Sequence, residues 1–214
     1  MAAGNPSRRS WWWLALACAV GLAAGVLLRL AGPVGTDVGG RIDLAPFLDD
    51  RASPSSGPAD APVTLVVFAD YQCGPCRAAH PAMLRTVAQA GDVRIVYRDL
   101  PVFGPVSERA ARIALAAREQ GLYAPVHDAL MREPRALTEP VLREVVERAG
   151  GDWTRALRAA RSAPVAGQLA RNREDALRLG AAGTPTYLIG RHRIVGALSG
   201  REFARAFAQA RKAE

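Results

Sequence analysis

The chain has 214 residues, half of them apolar, enough for one domain with a real core plus an appendage, which excludes a disordered chain. The formal charge is +8 and every basic residue but Lys212 is Arg, yet the arginines are scattered among Asp and Glu with no aromatic residues interleaved, so a solvated surface is expected and no nucleic acid partner. Three cysteines, Cys18, Cys73 and Cys76, are too few for a disulfide framework.

Residues 1–10 are polar and include Arg8 and Arg9. From Trp11 to Leu28 no residue is charged, at the lower limit of length for a membrane-spanning helix. Residues 11–31 are therefore expected to be an uncleaved signal-anchor in the lipid bilayer of the inner membrane. The two arginines set residues 1–10 on the cytoplasmic side, and Trp11, Trp12 and Trp13 suit the interface. A cleaved signal peptide, releasing a soluble periplasmic or secreted protein, is the alternative. Either places the remainder outside the cytoplasm, where disulfides form and persist. Residues 32–60 are rich in Gly, Pro, Ser and Asp and read as a flexible tether with a short element around 42–48.

The folded domain is expected over 61–214. Val63–Ala69 is an apolar, β-branched run of strand length. Cys73 to Ala88 follows with Cys76, Ala79, Met83 and Val87 at helical spacing and Pro81 inside. Residues 93–98 alternate as a second strand, and a strand–helix–strand unit of this length implies a parallel pair. From about 106 to 180 almost every window reads as helix, giving an insert of four or five helices, one capped by Asp152. Strands return at 184–189 and 192–195 as a hairpin around Gly190 and Arg191. Ser199 and Glu202 form a capping box that opens a last helix through Ala210.

Cys73-Gly74-Pro75-Cys76 sits where the first strand feeds the helix. Orphan N–H groups and the positive end of the helix dipole favour a thiolate there, and the thiolate is the species that attacks disulfides. Other uses of the pair fit less well. Zinc would need His80 as a third ligand and His127 or His192 as a fourth. Haem attachment needs His directly after the second Cys, where Arg77 stands. A purely structural disulfide across two residues constrains little chain.

The domain resembles the DsbA-like branch of the thioredoxin superfamily, on Phe68–Cys76, the helical insert and Gly183-Thr184-Pro185-Thr186. The resemblance implies an α/β thioredoxin fold with an inserted all-helical subdomain. It implies a protein-disulfide oxidoreductase with Cys73 exposed and attacking, Cys76 buried and resolving, and Gly74 and Pro75 shaping the loop. It also implies that Pro185 is cis against the pair and that backbone at Thr184 binds an extended client chain. Cysteine-containing secreted or periplasmic proteins are the implied clients, and a membrane or periplasmic redox partner recycles the pair. No cofactor beyond the Cys73–Cys76 disulfide, no metal and a monomer are expected. Disulfide donation is the preferred direction. Reduction or isomerisation is the alternative, since Gly-Pro between the cysteines resembles thioredoxin, and an anchored, non-enzymatic binding or assembly module is a further one. Thioredoxins carry a buried acid six residues before the first Cys. Val67 stands there, so Asp70 or water would have to serve the Cys76 proton, and His80 is expected to be a partly exposed helix residue.

Overall fold

The computed structural model describes residues 8–212. The chain divides into two compact units, 1–33 and 34–214. The first holds helix α1, Arg8–Ala31. Trp11, Trp12, Trp13, Leu14 and Leu22 on it are exposed. Residues 1–7, part of the expected cytoplasmic segment, lie outside the described residues, as do several side chains between 23 and 31. Among the described residues no helix is long and apolar enough to cross a membrane.

The second unit is a thioredoxin-like α/β fold. Its core strands are β3 (Val63–Ala69), β4 (Val93–Asp99), β5 (Thr186–Ile189) and β6 (His192–Val195). Two-residue strands β1 (Thr36–Asp37) and β2 (Ser55–Ser56) cap the edges of a mixed sheet of order β1-β6-β5-β3-β4-β2. β3 and β4 run parallel, and every other pairing is antiparallel. Helix α3, Gly74–Ala90, is the β3–β4 crossover, which a parallel pair requires. Five helices then occupy Pro105–Leu179: α4 (Pro105–Ala117), α5 (Tyr123–Arg132), α6 (Glu139–Arg148), α7 (Trp153–Ala159) and α8 (Ala163–Leu179). Asp152 caps α7 by accepting the Arg155 N–H at 2.9 Å. Helix α9, Gly200–Ala210, opens on the Ser199/Glu202 capping box.

Both faces of the sheet are covered, which is why β3 reads as a near-continuous apolar run. Leu65, Val67, Ile95 and Tyr187 point into a large core shared with α3 to α7 and α9. Val66, Phe68, Val96 and Leu188 point the other way, onto Phe47, Leu100, Ala176 and Leu179.

Phe47 belongs to α2, Ala45–Leu48, inside the stretch expected to be a tether. The structure differs there: residues 34–60 are part of the folded unit. Phe47 is fully buried and Val38 nearly so, and β1 and β2 pair with β6 and β4. Arg98 on β4 clamps the stretch from within. Its guanidinium donates to Ser53 Oγ and Asp50 Oδ2, each at 2.7 Å, and lies 3.4 Å from Asp175 on α8. Arg94 adds hydrogen bonds to the Leu48 and Asp50 carbonyls. A buried aromatic, buried guanidinium contacts and two short strand pairings together order a Gly- and Ser-rich segment.

Candidate active site

The site forms where β3 ends and α3 begins. Cys73 is the N-cap of α3, with extended backbone, and its N–H donates to the Asp70 carbonyl at 3.1 Å. Its sulfur accepts the Cys76 N–H at 3.4 Å, one of the orphan donors of the helix start. Across the sheet the loop into β5 carries Thr184 and Pro185, joined by a cis peptide bond, as the resemblance implied. The Cys73 thiol donates to the Thr184 carbonyl at 3.2 Å. The structure thus brings together the two cysteines, Thr184 and Pro185, which lie more than a hundred residues apart with the helical insert between them.

Both cysteines are free thiols and both are buried; Cys73 is 2% exposed and Cys76 3%. The expectation of an exposed Cys73 is corrected. Its sulfur is turned inward onto the Thr184 carbonyl, while Gly74 and Pro75 form the exposed lip of the loop. Burial pushes the Cys76 thiol up to about 12, and the neighbouring Cys73 sulfur adds to the effect. Among the described residues Thr184 Oγ1 is buried without a hydrogen-bond partner.

Asp70 is not free to serve the Cys76 proton. It is 1% exposed, and its carboxylate accepts the N–H of Gln72 at 2.7 Å, of Val102 at 2.7 Å and of Phe103 at 3.1 Å, and the Ser107 hydroxyl at 2.6 Å. Gln72 returns the tie by donating to the Phe103 carbonyl and to Ser107 Oγ. Asp70 thus fastens the residue before Cys73 to the loop that opens α4.

Beneath Cys76 lies a second constellation that sequence reasoning missed. Val67, Cys76, His80, Met83 and His127 line a cavity of about 10 Å³. His80 is 4% exposed, not partly exposed, and its Nε2 lies 2.8 Å from Asp128 Oδ1 on α5. His127, also on α5, holds Nδ1 at 2.8 Å from the Tyr71 hydroxyl, which donates to Asp99 Oδ1 at 2.8 Å; the Tyr123 hydroxyl donates to the same buried carboxylate at 3.0 Å. Burial, then Asp99, holds the Tyr71 and Tyr123 hydroxyls well above their ordinary range, so both stay protonated donors. The helical spacing of His80 from Cys76 was a usable signal. The α5 partners had none, because the contacts that join them to α3 span about fifty residues.

His80 makes stability depend on pH. Burial, then His127, lowers its pKa to about 4, against the upward pull of Asp128. The unfolded chain takes up this proton near pH 6.5 and the folded chain only near pH 4. Stability is therefore complete above pH 6.5 and falls as the pH drops from there towards 4, by an amount on the order of 3 kcal/mol. Urea unfolding at about pH 7 and about pH 4.5 checks this. His80→Gln should flatten the slope, and an equal slope in both proteins would assign the loss to other groups.

The family described as DSBA-like thioredoxin domain matches residues 64–208. The chain belongs to that family. The DSBA-like chain is similar to a solved thioredoxin-like oxidoreductase from Silicibacter pomeroyi DSS-3, 32% identical with a TM-score of 0.77, over 81% of this chain and all of that one. It is similar also to a periplasmic thioredoxin-like protein from Salmonella enterica serovar Typhimurium, 26% identical with a TM-score of 0.70, over 80% of this chain and 99% of the other. A curated protein from Salinispora tropica named Na(+)/H(+) antiporter NhaA 3 is 33% identical over 159 residues, 73% of this chain and 24% of that protein. The chain spans a quarter or less of the length of the curated relatives it matches, so the transport in that name is a statement about the longer protein.

Proposed function

We propose that the protein is a thiol–disulfide oxidoreductase that donates disulfides to cysteine-containing proteins outside the cytoplasm. The observation that carries this reading is the Cys73 sulfur, at the N-cap of α3, set 3.4 Å from the Cys76 N–H and 3.2 Å from the Thr184 carbonyl. A client thiolate attacks Cys73 of the Cys73–Cys76 disulfide, and the bond breaks with its electron pair leaving on Cys76. A second client thiol attacks the mixed disulfide and releases Cys73. In the disulfide form Cys73 has no hydrogen to give to the Thr184 carbonyl, and the client chain pairs with backbone at Thr184, beside Pro185, as an added strand. Gly74 and Pro75 shape the lip. The redox-active disulfide is the only redox group the reading requires, with no metal and no further cofactor, and a redox partner in the membrane or periplasm restores it. The protein acts as a monomer.

Donation is favoured by the place of Cys73 at the start of α3, where the Cys76 N–H and the positive end of the helix face its sulfur. Gly74-Pro75 favours the reverse reading, a reductase. Equilibration of the pair with glutathione decides between them. A potential near about −120 mV is expected, and one near about −270 mV would reverse the direction.

The uncharged run Trp11–Leu28 and the exposed Trp and Leu side chains of α1 support membrane anchoring through residues 11–31, with the second unit in the periplasm or its equivalent. Anchoring predicts that the full chain stays with membranes after alkaline carbonate extraction. Recovery in the soluble fraction would favour the cleaved alternative.

A further inference from the structure

A buried thiol that must lose and regain a proton needs a group to carry it, and the strand side of the Cys76 cavity offers Val67, Ala69 and a Tyr187 hydroxyl that burial holds protonated, well above its ordinary range. The helix side offers more. Cys76 and His80 stand one turn apart on α3, so their side chains share a face, and both line the same cavity, whose volume of about 10 Å³ is close to the room one water needs. The carboxylate of Asp128 can only accept, so the 2.8 Å contact places a hydrogen on His80 Nε2 and leaves the lone pair on Nδ1. Asp128 in turn is 39% exposed and takes the Arg132 Nε at 2.7 Å. The groups are therefore a buried thiol, a buried imidazole that lines the same cavity, and a carboxylate nearer the surface that holds the imidazole. This is the arrangement of nucleophile, base and orienting acid that activates thiols and hydroxyls elsewhere.

We propose that His80, positioned by Asp128, takes the Cys76 proton when Cys76 attacks and returns it when Cys76 leaves. The proposal rests on the thiol–disulfide reading above. In the resolving step the Cys76 S–H proton passes to His80. The Cys76 electron pair forms the Cys73–Cys76 bond, and the bond from Cys73 to the client sulfur breaks with its pair on the client, which leaves as thiolate. In disulfide donation the step reverses: the proton released to solvent when the client thiol ionises is taken up by His80 and passed to the departing Cys76, which leaves the imidazole neutral again.

Other charged and titratable groups face His80. His127 meets it ring to ring at 5.3 Å, with Asp99 behind, and Arg132 stands beyond Asp128, while Tyr187 lines the far side of the cavity. Burial holds His80 neutral, with its pKa near 4, and so available as an acceptor at neutral pH, while it pushes Cys76 up to about 12. Transfer across that gap becomes favourable only as thiolate and imidazolium form side by side, each charge offsetting the burial of the other.

The test is the reaction of the reduced full chain, carrying Cys18→Ala so that Cys73 and Cys76 are the only thiols, with 5,5′-dithiobis(2-nitrobenzoate). Attack by Cys73 releases one coloured thiolate and attack by Cys76 on the mixed disulfide releases a second, so the two cysteines are read separately. His80→Gln is expected to leave the first release unchanged and to slow the second roughly 100-fold at neutral pH, with a rate that now rises in proportion to hydroxide. Asp128→Asn, at a half-exposed position tolerant of change, should slow the second release roughly 10-fold. An unchanged second release in His80→Gln, or equal slowing of both releases, overturns the proposal. Where His80→Gln does not fold, an unchanged second release in Asp128→Asn overturns it. If the parent protein shows no second release, the thiol–disulfide reading itself fails instead.

Discussion

Cys73→Ser is expected to bring disulfide exchange down to the uncatalysed background, both in oxidative refolding of a reduced protein and in reduction of insulin. A hydroxyl at the N-cap keeps the fold, because Ser is among the best N-cap residues and can accept the Cys76 N–H as the sulfur does. It cannot ionise at neutral pH or form a disulfide, so the chemistry is lost while the helix start is kept. Thermal unfolding close to that of the parent protein would confirm that separation. Cys76→Ser gives the complementary result. Cys73 still attacks, but nothing resolves the mixed disulfide, so a covalent adduct with the client accumulates and runs as a heavier band on a non-reducing gel. Undiminished exchange in Cys73→Ser would remove the oxidoreductase reading. A cellular function that survives loss of both thiols would point instead to an anchored binding or assembly module.

The parts of this site that could be read from the sequence were those written in neighbouring residues. The strand, the thiol pair and the helix that follows lie within 63–90, and their apolar period changes from strand to helix at the cysteines. The hairpin and the final capping box are local in the same way. What was hidden depends on contacts between distant stretches. Cys73 reads as exposed from its place at a helix start, and only the fold shows the Thr184 carbonyl waiting for its sulfur. The Gly, Pro and Ser content of 32–60 argues for a tether, because composition does not reveal that Phe47 has a pocket of Phe68, Val96 and Leu188 to fill, or that Arg98 needs Asp50 and Ser53 as partners. Asp70 and the burial of His80 departed from expectation for the same reason: a carboxylate three residues before a reactive thiol looks catalytic until its four donors are found on the chain and in a loop thirty residues away, and His80 looks half-open until α5 packs on it.

Asp70 therefore gives the second large effect. Asp70→Ala strips the acceptor from four donors at once, namely the Gln72, Val102 and Phe103 N–H groups and the Ser107 hydroxyl. Leaving buried donors without a charged acceptor costs about 3 kcal/mol here, the exposed side chains of Val102 and Phe103 implying that water can reach part of the gap. Asp70→Asn should cost less, since one oxygen survives, although its NH₂ group then confronts donors. The consequence for exchange is indirect. The Gln72 side chain is tied to the Phe103 carbonyl and Ser107 Oγ, so a loosened 101–107 loop lets the residue before Cys73 drift, and both cysteine steps slow together by a few-fold. That joint slowing separates the two roles open to this carboxylate. A proton carrier for Cys76 would, when changed to Asn, slow the second thiol release alone and leave the urea midpoint almost where it was. A loop anchor moves the midpoint first and both releases equally. With its carboxylate taken by four donors, Asp70 is expected to behave as the anchor, and the selective loss at Cys76 should appear only when His80 or Asp128 is changed.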